Sequence, residues 1–126
     1  MKRILIIDDE ELTLRLLEKI FLEEGYLVDL AMNGEDGLQL FRRLPADLVI
    51  TDMVMPVKDG LKTILELREI DEKVPVVAIS GGGAIAKERY LTVASFLENV
   101  RTVAKPFSRA EIMLAVRDLL HGGQRP

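Results

Sequence analysis

The sequence predicts an α/β fold built on a parallel β-sheet. Short apolar runs alternate with amphipathic stretches along all 126 residues, and one run with the stretch that follows it takes up roughly 25 residues, as expected for a βα unit. Three of the runs are continuous and rich in β-branched residues, which is typical of strands buried on both faces of a parallel sheet. Five βα units with right-handed crossovers therefore describe the whole chain.

The predicted strands are the five apolar runs, at residues 3–7, 27–31, 47–51, 74–79 and 101–104. The last run is short, and it is assigned from its place in the alternation. The predicted helices lie between the strands and after the last one, at residues 11–24, 35–44, 61–70, 86–97 and 108–120.

Apolar residues recur at helical spacing within these stretches and predict which side of each helix is buried. In the first helix they are Leu12, Leu16, Leu17, Ile20 and Phe21. In the third helix the predicted buried side consists of Ile64, Leu65 and Leu67.

Residues with known preferences for helix ends mark several of the boundaries. Gly25 follows the first helix as a stop signal. Asn33 and Asp59 are suitable N-caps for the second and third helices. Ser108 with Glu111 three residues later forms the pattern of a capping box before the last helix.

Composition excludes several classes of protein. Without cysteine the chain has no disulfide, thiolate zinc site, iron–sulfur cluster or cysteine nucleophile. No apolar run reaches the length of a secretory signal or a membrane span, so we expect a cytoplasmic protein. A net charge of −4, from 17 basic and 21 acidic residues, gives no electrostatic reason for direct binding to nucleic acid or to an anionic membrane.

Chemically active side chains follow four of the predicted strands. Asp8 and Asp9 follow the first strand, Asp52 the third, Ser80 the fourth and Lys105 the fifth. The working site of such sheets lies at the carboxyl ends of the strands, so these side chains should converge. Each has an ordinary explanation when taken alone, such as a helix cap, a loop serine or a surface lysine, but their joint occurrence favours a site.

Three carboxylates and one ammonium at a single edge suggest phosphoryl chemistry. Like charges oppose the shared ionisation of Asp8, Asp9 and Asp52, and a hard cation such as Mg²⁺ (or Mn²⁺) would relieve this repulsion. One carboxylate could then attack phosphorus and form an aspartyl phosphate. Lys105 would hold a phosphate oxygen by its charge, and Ser80 by a hydrogen bond.

The segments that carry these residues resemble the receiver domain of response regulators in two-component signalling, a family that includes the chemotaxis receivers. They read ILIIDDEE, DLVITDMVMPVKDG, VVAISGGG and VAKPFSRAEI, and the pattern D-x-x-M-P-x-x-D-G from Asp52 to Gly60 is highly specific. The resemblance covers residues 2–121. It implies a flavodoxin-like three-layer sandwich of five βα units, with a five-stranded parallel sheet in the order 2-1-3-4-5.

The resemblance also implies a role for each site residue. Asp52 corresponds to the phosphoacceptor and metal ligand, Asp9 to a direct metal ligand, and Asp8 to a ligand that acts through water or pairs with the lysine. The backbone carbonyl of Val54 corresponds to the third protein ligand of the metal. Ser80 corresponds to the switch hydroxyl and Lys105 to the phosphate-binding lysine, followed by a cis peptide bond before Pro106.

Partners follow from the same resemblance. A histidine kinase or a histidine phosphotransfer protein would supply the phosphoryl group. A downstream protein would bind the face of the fourth helix, fifth strand and fifth helix, roughly residues 86–120, and a homodimer is compatible with that face. We expect a receiver domain at residues 1–121 with a flexible tail at 122–126, and the Met1 start and short tail favour a stand-alone receiver.

One position departs from the family pattern, and two other functions compete. Thr102 stands where the family usually has an aromatic residue, so the usual aromatic readout is in doubt. A receiver that is never phosphorylated and acts only as an interaction module is the main alternative. An enzyme fits less well, because a haloacid-dehalogenase-like phosphatase needs D-x-D after the first strand, and the phosphate loop of a flavodoxin would not contain four acids. We therefore expect no activity beyond assisted phosphorylation and dephosphorylation of the chain itself.

Overall fold

The computed structural model describes residues 1–53, 59–81 and 98–121. Within these ranges the strands are β1 (Arg3–Ile7), β2 (Leu27–Ala31), β3 (Leu48–Asp52), β4 (Val76–Ser80) and β5 (Val100–Ala104). They form one sheet in the order β2-β1-β3-β4-β5, and every neighbouring pair is parallel. The predicted order is therefore confirmed.

The helices of the described residues are α1 (Glu11–Glu23), α2 (Gly34–Arg43), α3 (Gly60–Ile70) and α4 (Arg109–His121). They match four of the five predicted helices to within one residue at each end. The helix predicted at 86–97 lies outside the described residues, as does the tail at 122–126. In the described part of the chain, no helix combines the length and apolar character that a membrane span needs.

Two apolar cores, one on each face of the sheet, give the molecule three layers. Residues of α1 and α4 pack on one face against alternate residues of β1, β3 and β4, such as Ile6 and Ile50. Residues of α2 and α3 pack on the other face against the remaining strand residues, such as Ile7 and Val49. The middle strands β1, β3 and β4 are thus buried on both sides, as their continuous apolar sequences predict.

The predicted helix boundaries are confirmed by their hydrogen bonds. Asn33 accepts a bond from the Asp36 backbone N–H, and Asp59 accepts one from Lys62. Ser108 and Glu111 exchange the two bonds of a capping box. Gly25 has a φ of 91°, a left-handed conformation that favours glycine.

Three predictions of burial are wrong. Leu12 is 87% exposed and Leu16 51% exposed, while Leu14 takes the buried position in α1. Leu65 is 49% exposed on α3. In α1 the buried stripe runs through Leu14, Leu17, Ile20 and Phe21 at a spacing of three or four residues, and Leu12 and Leu16 lie to one side of it.

Candidate functional site

The site residues lie at the carboxyl ends of four neighbouring strands. Asp8 and Asp9 follow β1, Asp52 ends β3, Ser80 ends β4, and Lys105 follows β5. Because β3 pairs with β1 on one side and with β4 on the other, the sheet order itself brings these positions to one edge. The convergence predicted from the sequence is therefore observed.

Asp8, Asp9 and Asp52 form what we call the acid cluster. One carboxylate oxygen from each lies within 4.8 Å of the others. Asp8 and Asp52 are buried, with exposed fractions of 1% and 5%, whereas Asp9 is exposed to solvent. Two acids of the cluster are thus buried, and the third is exposed to solvent.

The Asp8 carboxylate is fixed in place, but its negative charge is only partly compensated. Its Oδ1 accepts a hydrogen bond of 2.8 Å from the Glu10 backbone N–H, and its own N–H donates to the carbonyl of Ala31. Among the described residues, its buried Oδ2 has no hydrogen-bond partner. Burial raises the pKa of the Asp8 carboxyl, although the Glu10 N–H and the charge of Lys105 act in the opposite direction.

Lys105 brings positive charge to this edge of the sheet. Its Nζ lies 3.5 Å from Asp8 Oδ2 and 3.6 Å from Asp52 Oδ2. Burial alone would lower the pKa of the Lys105 ammonium, but a hydrogen bond to Glu10 and the charges of Asp52 and Asp8 outweigh it, so the pKa is raised. The lysine therefore stays protonated and faces the acid cluster as a cation.

Two local features position the Lys105 side chain. The Lys105–Pro106 peptide bond is cis, as predicted. Gly81 leaves room for the aliphatic stem, since a Cβ at this position would lie 3.0 Å from Lys105 Cδ and 3.3 Å from its Cβ. The Lys105 N–H also donates to the Ser80 carbonyl, which ties the two strand ends together.

Glu10 contacts Lys105, and the sequence did not predict this contact. Its Oε1 lies 2.8 Å from Lys105 Nζ, although the two residues are 95 positions apart. The hydrogen bond from Lys105 lowers the pKa of the Glu10 carboxyl. Only its position directly after Asp9 could have indicated the contact.

Ser80 contributes a buried hydroxyl. The residue is 1% exposed, and its Oγ has no hydrogen-bond partner among the described residues. A buried polar atom without a partner is costly and calls for an explanation. A ligand oxygen at this edge would satisfy it.

Gly60 allows the start of α3 to lie close to the end of β3. The Gly60 N–H donates to the Met53 carbonyl, and a Cβ on Gly60 would come within 2.3 Å of the Asp52 carbonyl oxygen and 2.6 Å of Met53 Cα. The start of α3 therefore packs directly against the backbone that carries Asp52. Val54, the predicted carbonyl ligand, lies outside the described residues.

An open cleft of about 690 Å³ extends from the acid cluster across the start of α1. It is lined by acids, by Lys105 and by apolar residues from α1 and from the loop before α4, namely Asp9, Glu10, Thr13, Leu16, Asp52, Gly81, Lys105, Pro106 and Phe107. The buried carboxylate of Asp52 is thus accessible from outside through this cleft.

Thr102, the position that departs from the family pattern, is exposed on β5. Its neighbour Arg101 forms an ion pair of 3.1 Å with Asp118 of α4. Two aromatic residues of the predicted fourth helix, Tyr90 and Phe96, lie outside the described residues.

The fold and the site define the class of protein before any comparison. A doubly wound parallel sheet with an acid cluster and a lysine at its carboxyl edge is a flavodoxin-like domain with its working site at that edge. The sequence matches the response regulator receiver domain over residues 4–117, and the chain belongs to this family. Receiver domains pair with histidine kinases and with the output domains of response regulators.

Relatives occur both as single domains and as parts of longer proteins. The chain is 30% identical to the chemotaxis protein CheY of Halobacterium salinarum, covering 94% of this chain and 97% of that protein. It is 38% identical to the transcriptional regulatory protein PcoR of Escherichia coli, covering 95% of this chain but only 52% of PcoR.

Solved structures that resemble this chain in fold also include both short and longer proteins. A response regulator receiver protein from Sinorhizobium medicae superposes with a TM-score of 0.81 at 30% identity, covering 95% of this chain and 94% of the other. NtrX from Brucella abortus has a TM-score of 0.86 at 26% identity, covering 98% of this chain and 28% of NtrX.

Proposed function

We propose that this chain is a phosphoacceptor receiver that takes a phosphoryl group onto Asp52 in a Mg²⁺-dependent reaction. The observation that carries the proposal is the position of Asp52, which is buried, open to the cleft, and 3.6 Å from the ammonium of Lys105. A carboxylate in this setting has a cation beside it and a path by which a donor can reach it.

The acid cluster fits a hard divalent cation. Three carboxylate oxygens lie within 4.8 Å of one another, and the buried Asp8 Oδ2 has no hydrogen-bond partner in the part of the chain that the structure describes. Asp9 and Asp52 would be direct ligands of Mg²⁺ (or Mn²⁺), Asp8 would act through water, and the carbonyl of Val54 would complete the protein ligands. The bound cation would supply charge neutralisation at the acid cluster.

The transfer itself needs little chemistry from the protein. A carboxylate oxygen of Asp52 attacks the phosphorus of a phosphohistidine and forms an O–P bond, while the P–N bond breaks and the imidazole nitrogen keeps the electron pair and takes up a proton from solvent. Lys105 would balance charge on a phosphoryl oxygen, and the Ser80 hydroxyl would donate to another. The phosphoryl group adds about −1.5 to −2 of charge and shifts the conformational equilibrium.

The partners of this proposal are a histidine kinase or histidine phosphotransfer protein as donor, and a downstream protein on the face of β5, α4 and residues 86–97. This face could also form a homodimer. We place the receiver at residues 1–121. The competing proposal is an interaction module that never carries a phosphoryl group.

The decisive experiment is incubation with acetyl phosphate and Mg²⁺, followed by intact-mass measurement. The wild type should gain the mass of one phosphoryl group and Asp52→Asn should gain none. Asp71→Asn is the matched control, because it removes an exposed acid at the opposite end of α3. A wild type that gains no mass from acetyl phosphate or from a phosphorylated histidine donor would leave the interaction module as the function.

A further inference from the structure

Lys105 is closer to Glu10 than to either buried acid of the site. Its Nζ lies 2.8 Å from Glu10 Oε1, which is a normal charge-assisted hydrogen bond. The distances to Asp8 and Asp52 are 3.5 and 3.6 Å, beyond the range of a strong bond. In the phosphoryl-free chain the lysine is therefore held mainly by Glu10.

The position of Glu10 makes this contact specific. Its backbone is held at both ends, because the N–H donates to Asp8 Oδ1 and the carbonyl accepts from the Leu14 N–H. Glu10 occupies the N-cap position of α1, yet its side chain caps no helix N–H. Its carboxylate instead reaches Lys105 across the mouth of the cleft, which Glu10 also lines.

We infer that Glu10 is a positioning residue that restrains Lys105 and slows phosphorylation of Asp52. The inference rests on the proposed function. The Glu10 side chain is 62% exposed, so the ion pair is screened by water and weak. A phosphoryl group on Asp52 carries more negative charge and more acceptor oxygens than one carboxylate, so it draws Lys105 away from Glu10.

Glu10 opposes the reaction in a second way. The Glu10 carboxylate lines the cleft, where its charge repels an incoming anionic donor and, once Lys105 has moved to the phosphoryl group, repels the phosphorylated Asp52. Both effects act on the approach of the donor and on the phosphorylated state. Neither requires Glu10 to touch the phosphoryl group, and this separates its role from those of Lys105 and Ser80.

The test compares Glu10→Gln with Glu11→Gln. The two variants remove the same charge from adjacent exposed residues, but the ion pair of Glu11 is with Arg15, at 4.0 Å. With acetyl phosphate and Mg²⁺, Glu10→Gln should be phosphorylated about three to ten times faster than the wild type. A tenfold change in rate corresponds to about 1.4 kcal/mol. Glu11→Gln should remain within about twofold of the wild type. Equal acceleration in both variants would mean a general charge effect and would overturn the inference.

A second readout needs neither a donor nor a metal. The NMR signal of the Lys105 ammonium, assigned with a Lys105→Arg variant, should shift in Glu10→Gln and stay unchanged in Glu11→Gln. An unshifted signal in Glu10→Gln would overturn the inference directly. If the signal shifts but no variant takes up a phosphoryl group, the proposed function fails and the inference fails with it. If the wild type is phosphorylated and Glu10→Gln is no faster, only the inference fails.

Discussion

The burial of Asp8 at the site is costly to the fold. Its carboxylate is almost fully buried, and burial raises its pKa, which shows that the surroundings favour the uncharged form. A receiver that binds a cation at this site must hold three acids close together. Without the cation, this arrangement lowers the stability of the fold.

We expect Asp8→Asn to stabilise the metal-free protein by about 1 kcal/mol. The asparagine Oδ1 can keep the hydrogen bond from the Glu10 N–H, while the buried charge is lost. Urea unfolding in the presence of a chelator would measure the gain. Asp71→Asn is the control, because its Oδ1 accepts a similar backbone hydrogen bond from Lys73 in an exposed position, and it should leave the stability unchanged. A loss of stability in Asp8→Asn would contradict the burial argument.

Residue positions at the site could be predicted, but not all of their contacts. Asp8, Asp9, Asp52, Ser80 and Lys105 were found in the sequence because each follows a strand, and the sheet order then decides which strand ends are neighbours. The bond between Glu10 and Lys105 joins residues 95 positions apart and depends on a side-chain direction at the start of α1. No local pattern encodes such a direction.

At the scale of the elements, two helical glycines give contrasting tests of packing. A Cβ on Gly60 would meet backbone, at 2.3 Å from the Asp52 carbonyl oxygen, whereas a Cβ on Gly37 in α2 would meet the terminal Cδ1 of the Ile7 side chain at 2.4 Å. A side-chain end can turn aside more easily than backbone can move.

Gly60→Ala should therefore cost roughly 2–3 kcal/mol of stability. Gly37→Ala should cost less, because the better helix propensity of alanine, worth about 1 kcal/mol, offsets part of the crowding. Chemical denaturation of both variants gives the comparison. Gly60→Ala should also reduce phosphorylation, since it displaces the backbone of Asp52, and equal losses of stability in the two variants would contradict this account.

The end of α1 and the start of α4 are joined by Glu23, Glu24 and Arg109. The guanidinium of Arg109 contacts Glu23 at 2.7 Å and Glu24 at 3.0 Å. The hydrogen bond from Arg109 lowers the pKa of Glu23 below its ordinary value of 4.5. A carboxyl whose pKa is lower in the folded chain stabilises the fold above its ordinary pKa, and this contribution is lost as the pH falls through the lowered value.

We accordingly expect the wild type to melt at a slightly higher temperature than Glu23→Gln at neutral pH, with the difference vanishing as the pH falls through the lowered pKa of Glu23. Added salt should shrink the difference, because both side chains are about half exposed. Thermal melts over a pH series would show this, with Glu72→Gln as a control on an exposed acid. A difference that persists in acid would mean that Glu23 acts through packing.

The elements were predictable where local chemistry decides them. Helix ends depend on caps and stops such as Asn33 and Gly25, which act within a few residues. The buried side of a helix was less predictable, as Leu12, Leu16 and Leu65 show. Apolar residues on neighbouring stripes satisfy the same periodicity, and only the packing of a helix on the sheet decides which stripe is buried.

At the scale of the whole molecule, the proposed cation site couples binding to stability. A ligand that binds only the folded chain stabilises it by about 2.7 kcal/mol at one hundred times its dissociation constant. Mg²⁺ should therefore raise the melting temperature of the wild type, and a chelator should reverse the rise. Asp9→Asn should lose this response and Asp71→Asn should keep it. An equal rise in Asp9→Asn would place the cation elsewhere.

The sheet order has one more consequence, which concerns the timing of protein synthesis. The acid cluster is encoded in the first half of the chain, whereas Lys105 follows the last strand, which occupies an edge of the sheet beside β4. A ribosome exposes Asp52 well before it exposes Lys105. The unfinished chain therefore presents Asp52, the proposed phosphoacceptor, without the ammonium that balances its charge, and the proposed reaction becomes possible only when nearly all of the domain has been made.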